Sequence, residues 1–415
     1  MKYNSIIIGG GLSGLLAGIR LAKAGQKVAI ISSGQSALHF SSGSFGLLGS
    51  VDGHSVTNPV EGIKNLPAVH PYSKVGAEKV ISHAAEVKNL LSESGLTFTG
   101  DATANHYHLT PIGRCRPAWL TLDDYATCED LAAIKWKKVA IINFKGYLDF
   151  YPEFIADELK KKGIASVSYT LSLPDLERLR KSSSEMRATA IAKYLKGDNL
   201  DLFATEINRV LTPDIDMVLI PAVVGLDSEK PFVDLRSKVK APLSCVPVIP
   251  MSVGGLRCQM ALRRYFESLG GVYFLGDSVS SGYMKAARMV SVETVNLAPV
   301  SLFADNFILA TGSFFSHGLV AEPHKVVEPV FNLDVRVPSD RDEWFRKNLF
   351  EAQPFMEFGV DTDPQFRVKK DGKVIENVYA AGAILGGCNP LKEESGAGVA
   401  TVTALEVADL ILNQK

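Results

Sequence analysis

SIIIGGGLSGLLAGI, residues 5–19, decides the fold. Ser5 to Ile8 is a short apolar run with the length and β-branched content of a buried strand. Gly9, Gly11 and Gly14 follow at GxGxxG spacing, and Leu15, Ile19 and Ala22 then recur with a helical period. Gly25 stops the helix, and KVAIIS, residues 27–32, reads as a second strand, so residues 4–32 form one βαβ unit. The glycines permit a tight turn and let backbone N–H groups approach a phosphate, backed by the positive end of the helix. The expectation is a nucleotide or flavin phosphate at Gly9, Gly11 and Gly14; the alternative is a turn that is merely close-packed.

Outward from this unit, 415 residues exceed one ordinary core and favour two domains or a large domain with an insertion. Hydrophobic residues make up 46% and charged residues 21%, which excludes a disordered chain. Lys+Arg 44 against Asp+Glu 45 leaves a formal charge of -1, so no global field would hold nucleic acid. No run reaches the ~18 apolar residues of a membrane span, and the first strand begins too early for a targeting peptide ahead of it. A cytoplasmic protein is expected. Cys115, Cys128, Cys245, Cys258 and Cys388 include no CxxC pair, which argues for reduced thiols and against a self-contained iron-sulfur cluster. No metal site is expected.

Residues 34–62 are rich in Ser and Gly and read as an ordered loop; a helix near 76–94 carries Val80, Ala84, Val87 and Leu91 on one stripe. The texture changes near Lys137. KKVAIINF reads as a strand, YPEFIADELKKKG as a helix with Phe154, Ile155 and Leu159 inward, and IASVSYTLSL as another strand. Helices near 184–196 and 199–211 and the apolar run MVLIPAVVGL complete an inserted α/β unit. The fold expected is α/β: a Rossmann-like, doubly wound flavin-binding domain with a β-meander, made of residues 1–130 and 243–415 and interrupted by an inserted α/β domain, 131–242.

An acidic residue that would bond an adenosine ribose should stand about 20 residues past the glycines, but Ser32 and Ser33 occupy that place. Either neutral contacts hold the adenosine half or the ligand is a mononucleotide. FILATGSFF, with Thr311 and Gly312, ends a strand in a small-residue turn, and Gly396 to Gly398 open a helix aimed at something negative, such as the N1/O2 edge of a reduced flavin.

With these segments in order, GGGLSGLLAG, ATG and AAGAILGG resemble the flavoprotein oxidoreductases of the fumarate reductase type. GQSALHFSSGS (34–44), TPIGRCRPAWL (110–120) and LATGSFFSHGLVAE (309–322) resemble the B subunits of anaerobic glycerol-3-phosphate dehydrogenase over essentially the whole chain. That resemblance implies oxidation of sn-glycerol 3-phosphate to dihydroxyacetone phosphate and FMN as cofactor, with FAD the alternative. It also implies two partners of that dehydrogenase. One is the A subunit, with which the chain would form the catalytic dimer. The other is an iron-sulfur, membrane-attached C subunit, which passes electrons to the quinone pool and holds the chain against the inner face of the membrane. Two departures stand out: Ala383 follows Gly382 where the flavoprotein pattern has an acid, and His317 replaces a small residue.

Among candidate catalytic residues, His39 lies in the loop expected to cross the flavin, and Arg116 stands beside Arg114 where a guanidinium fork would meet a phosphate ester. Arg257 is a further candidate. A backbone-bonded histidine and surface or structural arginines are the competing readings. Ser41, Ser42 and Gly43 would present donors to the cofactor, joined by Gly382, Gly396 and Gly398. Two other functions compete: an electron-transfer and assembly subunit without substrate chemistry of its own, and a fumarate-reductase-like enzyme acting on another small substrate.

Overall fold

The computed structural model describes residues 1–129, 134–178 and 186–414. The chain begins with β1 (Lys2–Ile8), α1 (Leu12–Lys23) and β2 (Val28–Ser32), with β1 and β2 parallel and Ile8 opposite Ile31. The Ser/Gly-rich stretch folds into a short helix at Ala37–Phe40, a two-residue-strand hairpin at 50–55 and a helix at Pro59–Ile63 capped by Asn58. Next, α2 (Ala77–Glu93) buries Val80, Ala84, Val87 and Leu91.

A separate parallel sheet follows, built from β3 (Lys138–Phe144), β4 (Ala165–Leu171), β5 (Met217–Pro221) and β6 (Leu243–Val246) in the order β4-β3-β5-β6. Its helices include α3 (Pro152–Lys161) and α4 (Asp198–Val210). Phe154 departs from expectation. α3 buries Pro152, Ile155 and Leu159, and Phe154, one residue out of phase, is 51% exposed with its ring against Tyr151. A helix starting at Pro152 turns the i, i+4 pair Ile155 and Leu159 to the sheet, which points residue 154 away. The expected helix near 184–196 is seen at Ala188–Tyr194; its first residues, and the expected boundary at 130–131, lie outside the described residues.

The chain then returns to the first sheet through α5 (Val253–Ser268), β7 (Val272–Leu275), the antiparallel pair β8 (Val279–Lys285) and β9 (Arg288–Thr294), and β10 (Leu302–Leu309). It closes with β11 (Arg367–Lys370), β12 (Lys373–Ala380) and α6 (Gly396–Leu412). The order is β7-β2-β1-β10-β9-β8, with β12 also beside β10 and β11 beside β12. β7, β2, β1, β10 and β12 are mutually parallel, so their carboxyl ends open on one edge, where ligands of such sheets bind. α1 packs against α5 and α6, and α6 is buried nearly all round, as its mostly apolar sequence requires.

Two short crossings tie the second sheet to this body. Tyr125 bridges to Cys245 in β6, and the Asp124 carbonyl accepts the Cys245 N–H at 2.6 Å; the Asp124 carboxylate in turn meets the Arg257 guanidinium of α5 at 2.6 Å in the interior.

Candidate flavin site

At the carboxyl edge, β1 ends so close to β10 that a Cβ on Gly9 would sit 2.2 Å from the Ala310 carbonyl oxygen, and Gly9 adopts φ +114. A Cβ on Gly14 would lie 2.0 Å from the Gly9 carbonyl oxygen, so Gly14 lets α1 press onto the strand end. Gly11 differs: nothing in the chain comes nearer than 3.5 Å, and the open space belongs to a cleft of about 660 Å³. Such a volume suits a cofactor site.

The cleft runs across the sheet edge. On the β2 and β7 side it is lined by Ser32, Ser33 and Asp277; in the middle by Gly9 and Gly11; on the β10 and β12 side by Thr311, Gly312, Ala383 and Gly396. The first turns of α1 and α6 carry no acidic residue, and both helices begin at the cleft, so two positive helix ends face one space. The loop across it is seated by α5. A Cβ on Gly255 would come within 2.4 Å of the Leu38 and Ser41 carbonyl oxygens, and one on Gly254 within 2.6 Å of that of Ser42.

The side-chain oxygens of Ser41, Ser44 and Thr311 are buried without a hydrogen-bond partner, and all three residues line the cleft. Orphaned hydroxyls at a cleft are costly unless a ligand meets them. Together with the open Gly11 cradle and the two helix ends, they fit a flavin nucleotide.

The remaining sequence candidates divide. Ser32 lines the cleft, but its hydroxyl donates to the Gly34 carbonyl at 3.0 Å. His39 is buried behind the loop, edge-on to Phe40, with Nε2 unpartnered; burial lowers its pKa, and it does not line the cleft. Ser42 and Gly43 face inward as well. The Ser42 hydroxyl accepts the Ser44 N–H, its carbonyl accepts the Tyr125 hydroxyl, and Gly43, at φ +89, packs on Leu122. Gly382 donates its N–H to the Thr403 hydroxyl at 2.9 Å, and its φ of +80 brings the chain against Ser13. Gly398 donates to the Gly46 carbonyl and leaves no room beside the Tyr72 hydroxyl. Arg116 is half exposed and ion-paired with Glu394 at 2.9 Å, off the cleft lining. Arg257 is 2% exposed, which closes it to a substrate phosphate.

Asp277 was not visible as a site residue in the sequence. β7 pairs with β2, Leu275 opposite Ser32, and Asp277 donates its N–H to the Ser32 carbonyl. Its Oδ1 accepts the N–H groups of Ser278 and Asn296. Burial opposes ionisation, but the Thr294 hydroxyl and these N–H groups win, holding the carboxyl below its usual range. An anionic acceptor therefore stands beside Ser32, supplied by a different strand.

Among the described residues, one group brings metal-ligand types together: His70, Cys388 and Glu393, with ligand atoms within 4.8 Å. Its hydrogen-bonding capacity is used locally. His70 Nδ1 accepts the Tyr72 N–H, Glu393 Oε2 meets His70 Nε2 and the Ser395 hydroxyl, and Oε1 accepts the Asn389 N–H. The cluster clamps the turn that leads into α6.

Residues 4–399 match the FAD binding domain family, so the cofactor is a flavin. The chain is 41% identical over its full length to 99% of the B subunit of anaerobic glycerol-3-phosphate dehydrogenase from Yersinia enterocolitica, and 39% identical over the same shares to that of Pectobacterium carotovorum. Among solved structures, it is similar to 3-ketosteroid delta1-dehydrogenase from Sterolibacterium denitrificans (10% identity, all of both chains, TM-score 0.46). It is also similar to the quinol fumarate reductase FrdA of E. coli (10% identity, 99% of this chain and 70% of that one, TM-score 0.44). Full-length identity of this order to the curated relatives, with the glycine cradle and helix ends in place, means that the chain belongs to the FAD-binding flavoproteins of the fumarate reductase type and, within them, to the family of anaerobic glycerol-3-phosphate dehydrogenase B subunits.

Proposed function

We propose that this chain is the flavin-bearing part of a quinone-linked dehydrogenase that converts sn-glycerol 3-phosphate to dihydroxyacetone phosphate. It forms a catalytic dimer with an A subunit and is joined by an iron-sulfur, membrane-attached C subunit, which keeps it at the inner face of the membrane. Among the described residues no helix is long and apolar enough to cross a membrane, which fits attachment through a partner. The flavin-binding unit comprises the segments before and after the inserted sheet.

The cofactor we favour is FAD. The observation that carries this is the reach of the cleft to Asp277, well past the glycine cradle. FMN, which the family resemblance implied, would leave that carboxylate and Ser33 without a ligand. In this reading the first turn of α1 holds the pyrophosphate and Asp277 accepts a ribose hydroxyl. The first turn of α6 stabilises negative charge at the ring, and Ser41, Ser44 and Thr311 meet its polar edge. The bound flavin supplies two-electron acceptance. Acid release of the cofactor, followed by chromatography and mass determination, tests the choice: FAD supports it and FMN overturns it.

A second reading has a specific observation behind it. Among the described residues that line the cleft, only Asp277 and His317 carry a carboxylate or an imidazole, and Asp277 sits on the side away from α6. Alcohol oxidation needs a base at the reacting carbon. His317, the remaining one, is solvent-exposed beyond the Gly312 turn, which favours substrate oxidation on the A subunit, with the present chain relaying electrons. Turnover of glycerol 3-phosphate by the isolated, flavin-loaded chain with an artificial acceptor would exclude that division of labour.

A further inference from the structure

Beside the flavin cleft lies a smaller cavity of about 190 Å³ that shares Ser313, Phe315, Ala383 and Gly396 with it. Its apolar walls include Phe314, Phe355, Phe358, Leu385 and Val399 as well as the shared Phe315. The Phe314 ring stands edge-on to two of the others, at 6.3 Å from Phe355 and 6.5 Å from Phe358. No charged side chain is among the described residues that line it. The polar side chains present are the Ser313 hydroxyl and the Cys388 thiol, whose pKa burial pushes up, and the sole anion-favouring group among the described residues is the start of α6 at Gly396, which the cavity shares with the flavin cleft.

These features select a ligand class. A phosphate ester would lose its hydration against four aromatic rings with no cationic side chain to replace it. A dry apolar cavity of roughly 150 Å³ suffices for benzene, so this one takes a single ring. Rings set edge-on leave a slot in which a flat guest can stack or meet edges. Its junction with the cleft, at Ala383 and the first residue of α6, puts the guest next to the end of the cleft where the flavin ring is proposed to lie.

We infer that this cavity is a second binding site, for a flat, uncharged aromatic or quinonoid ring, contiguous with the cofactor. The binding claim stands on the cavity; a redox role for the guest rests on the dehydrogenase reading. The test is calorimetric titration of the flavin-loaded chain with duroquinone, the flavin remaining oxidised throughout. Saturable one-to-one binding is expected, weakened at least tenfold by Val399→Phe, which fills the cavity, and by Phe355→Asp, which charges its partly exposed wall. Excess inorganic phosphate, which cannot reduce the flavin, should not compete. Absence of saturable binding overturns the inference, as does equal affinity in either variant with full flavin content. Binding to the flavin-free chain alone also overturns it, since the cavity would then be part of the flavin's own seat. Failure of glycerol 3-phosphate to bleach the flavin when the A subunit is present would sink the dehydrogenase reading while leaving the binding result intact.

Discussion

Ser32 has its hydroxyl proton committed to Gly34, so the anionic acceptor at that side of the cleft is Asp277. Replacing it by Asn keeps an oxygen for the Ser278 and Asn296 N–H groups but removes the charge. Asp277→Asn should weaken FAD about tenfold, the worth of one charge-assisted hydrogen bond, and leave FMN unchanged. Fluorescence titration of the flavin-free protein with each flavin checks this, and equal losses for both would contradict it. The glycines separate in the same way. Gly9→Ala places a methyl against the Ala310 carbonyl at a positive φ and should lower the melting temperature with or without flavin. Gly11→Leu grows into open cleft and should abolish flavin retention while sparing the apoprotein's melting point. The roles of Gly9, Gly11 and Gly14 could be read from spacing because they act within one turn. Asp277 could not, because nothing in LGDSV announces that Leu275 pairs with Ser32, 243 positions earlier.

At the scale of elements, α6 is almost wholly apolar, yet Glu406 lies 5% exposed in its middle. Burial would raise its pKa, but hydrogen bonds from His83 at 2.9 Å and Lys79 at 2.8 Å, both on α2, outweigh this and hold it low. A depressed carboxylate stabilises the fold fully above its unfolded pKa, about 4.3, and loses that contribution as the pH falls through the folded value. Glu406→Gln should therefore cost about 2 kcal/mol at pH 7, with the gap to the parent chain closing below pH ~4. Urea unfolding at a series of pH values measures it; a gap independent of pH would remove the carboxylate from the account. Element existence is legible in the sequence wherever periodicity is strong, as in α1, α2 and α6. Phase is less so: Phe154 has the composition of a core residue, and only the helix start at Pro152 fixes which side meets the sheet. His39, Ser42 and Gly43 share that ambiguity, because a loop that crosses a cleft also has a back.

At the scale of the whole molecule, the Asp124–Arg257 pair, 5% and 2% exposed, lies inside the main body at the point where the Asp124 carbonyl holds the Cys245 N–H of the second sheet. Breaking such a pair strands a buried charge, so Arg257→Met should cost on the order of 3–5 kcal/mol, and adding Asp124→Asn should recover part of it. Chemical denaturation of the three variants tests this, and simple additivity would argue against a direct pairing. The second sheet is visible from the changed texture near Lys137, whereas its contact with the main body through Tyr125 and Cys245 depends on pairings that sequence patterns do not carry. The chain order has a further consequence for biosynthesis. β1 leaves the ribosome well ahead of β10: Leu309, the partner of Ile8, follows 301 residues later, and α6 later still. At about 5–20 residues per second, the glycine turn waits on the order of 15–60 s before β10 arrives to complete its wall. Flavin capture is thus a late event in the life of each nascent chain, and the inserted sheet, whose four strands lie within residues 138–246, can fold well before it.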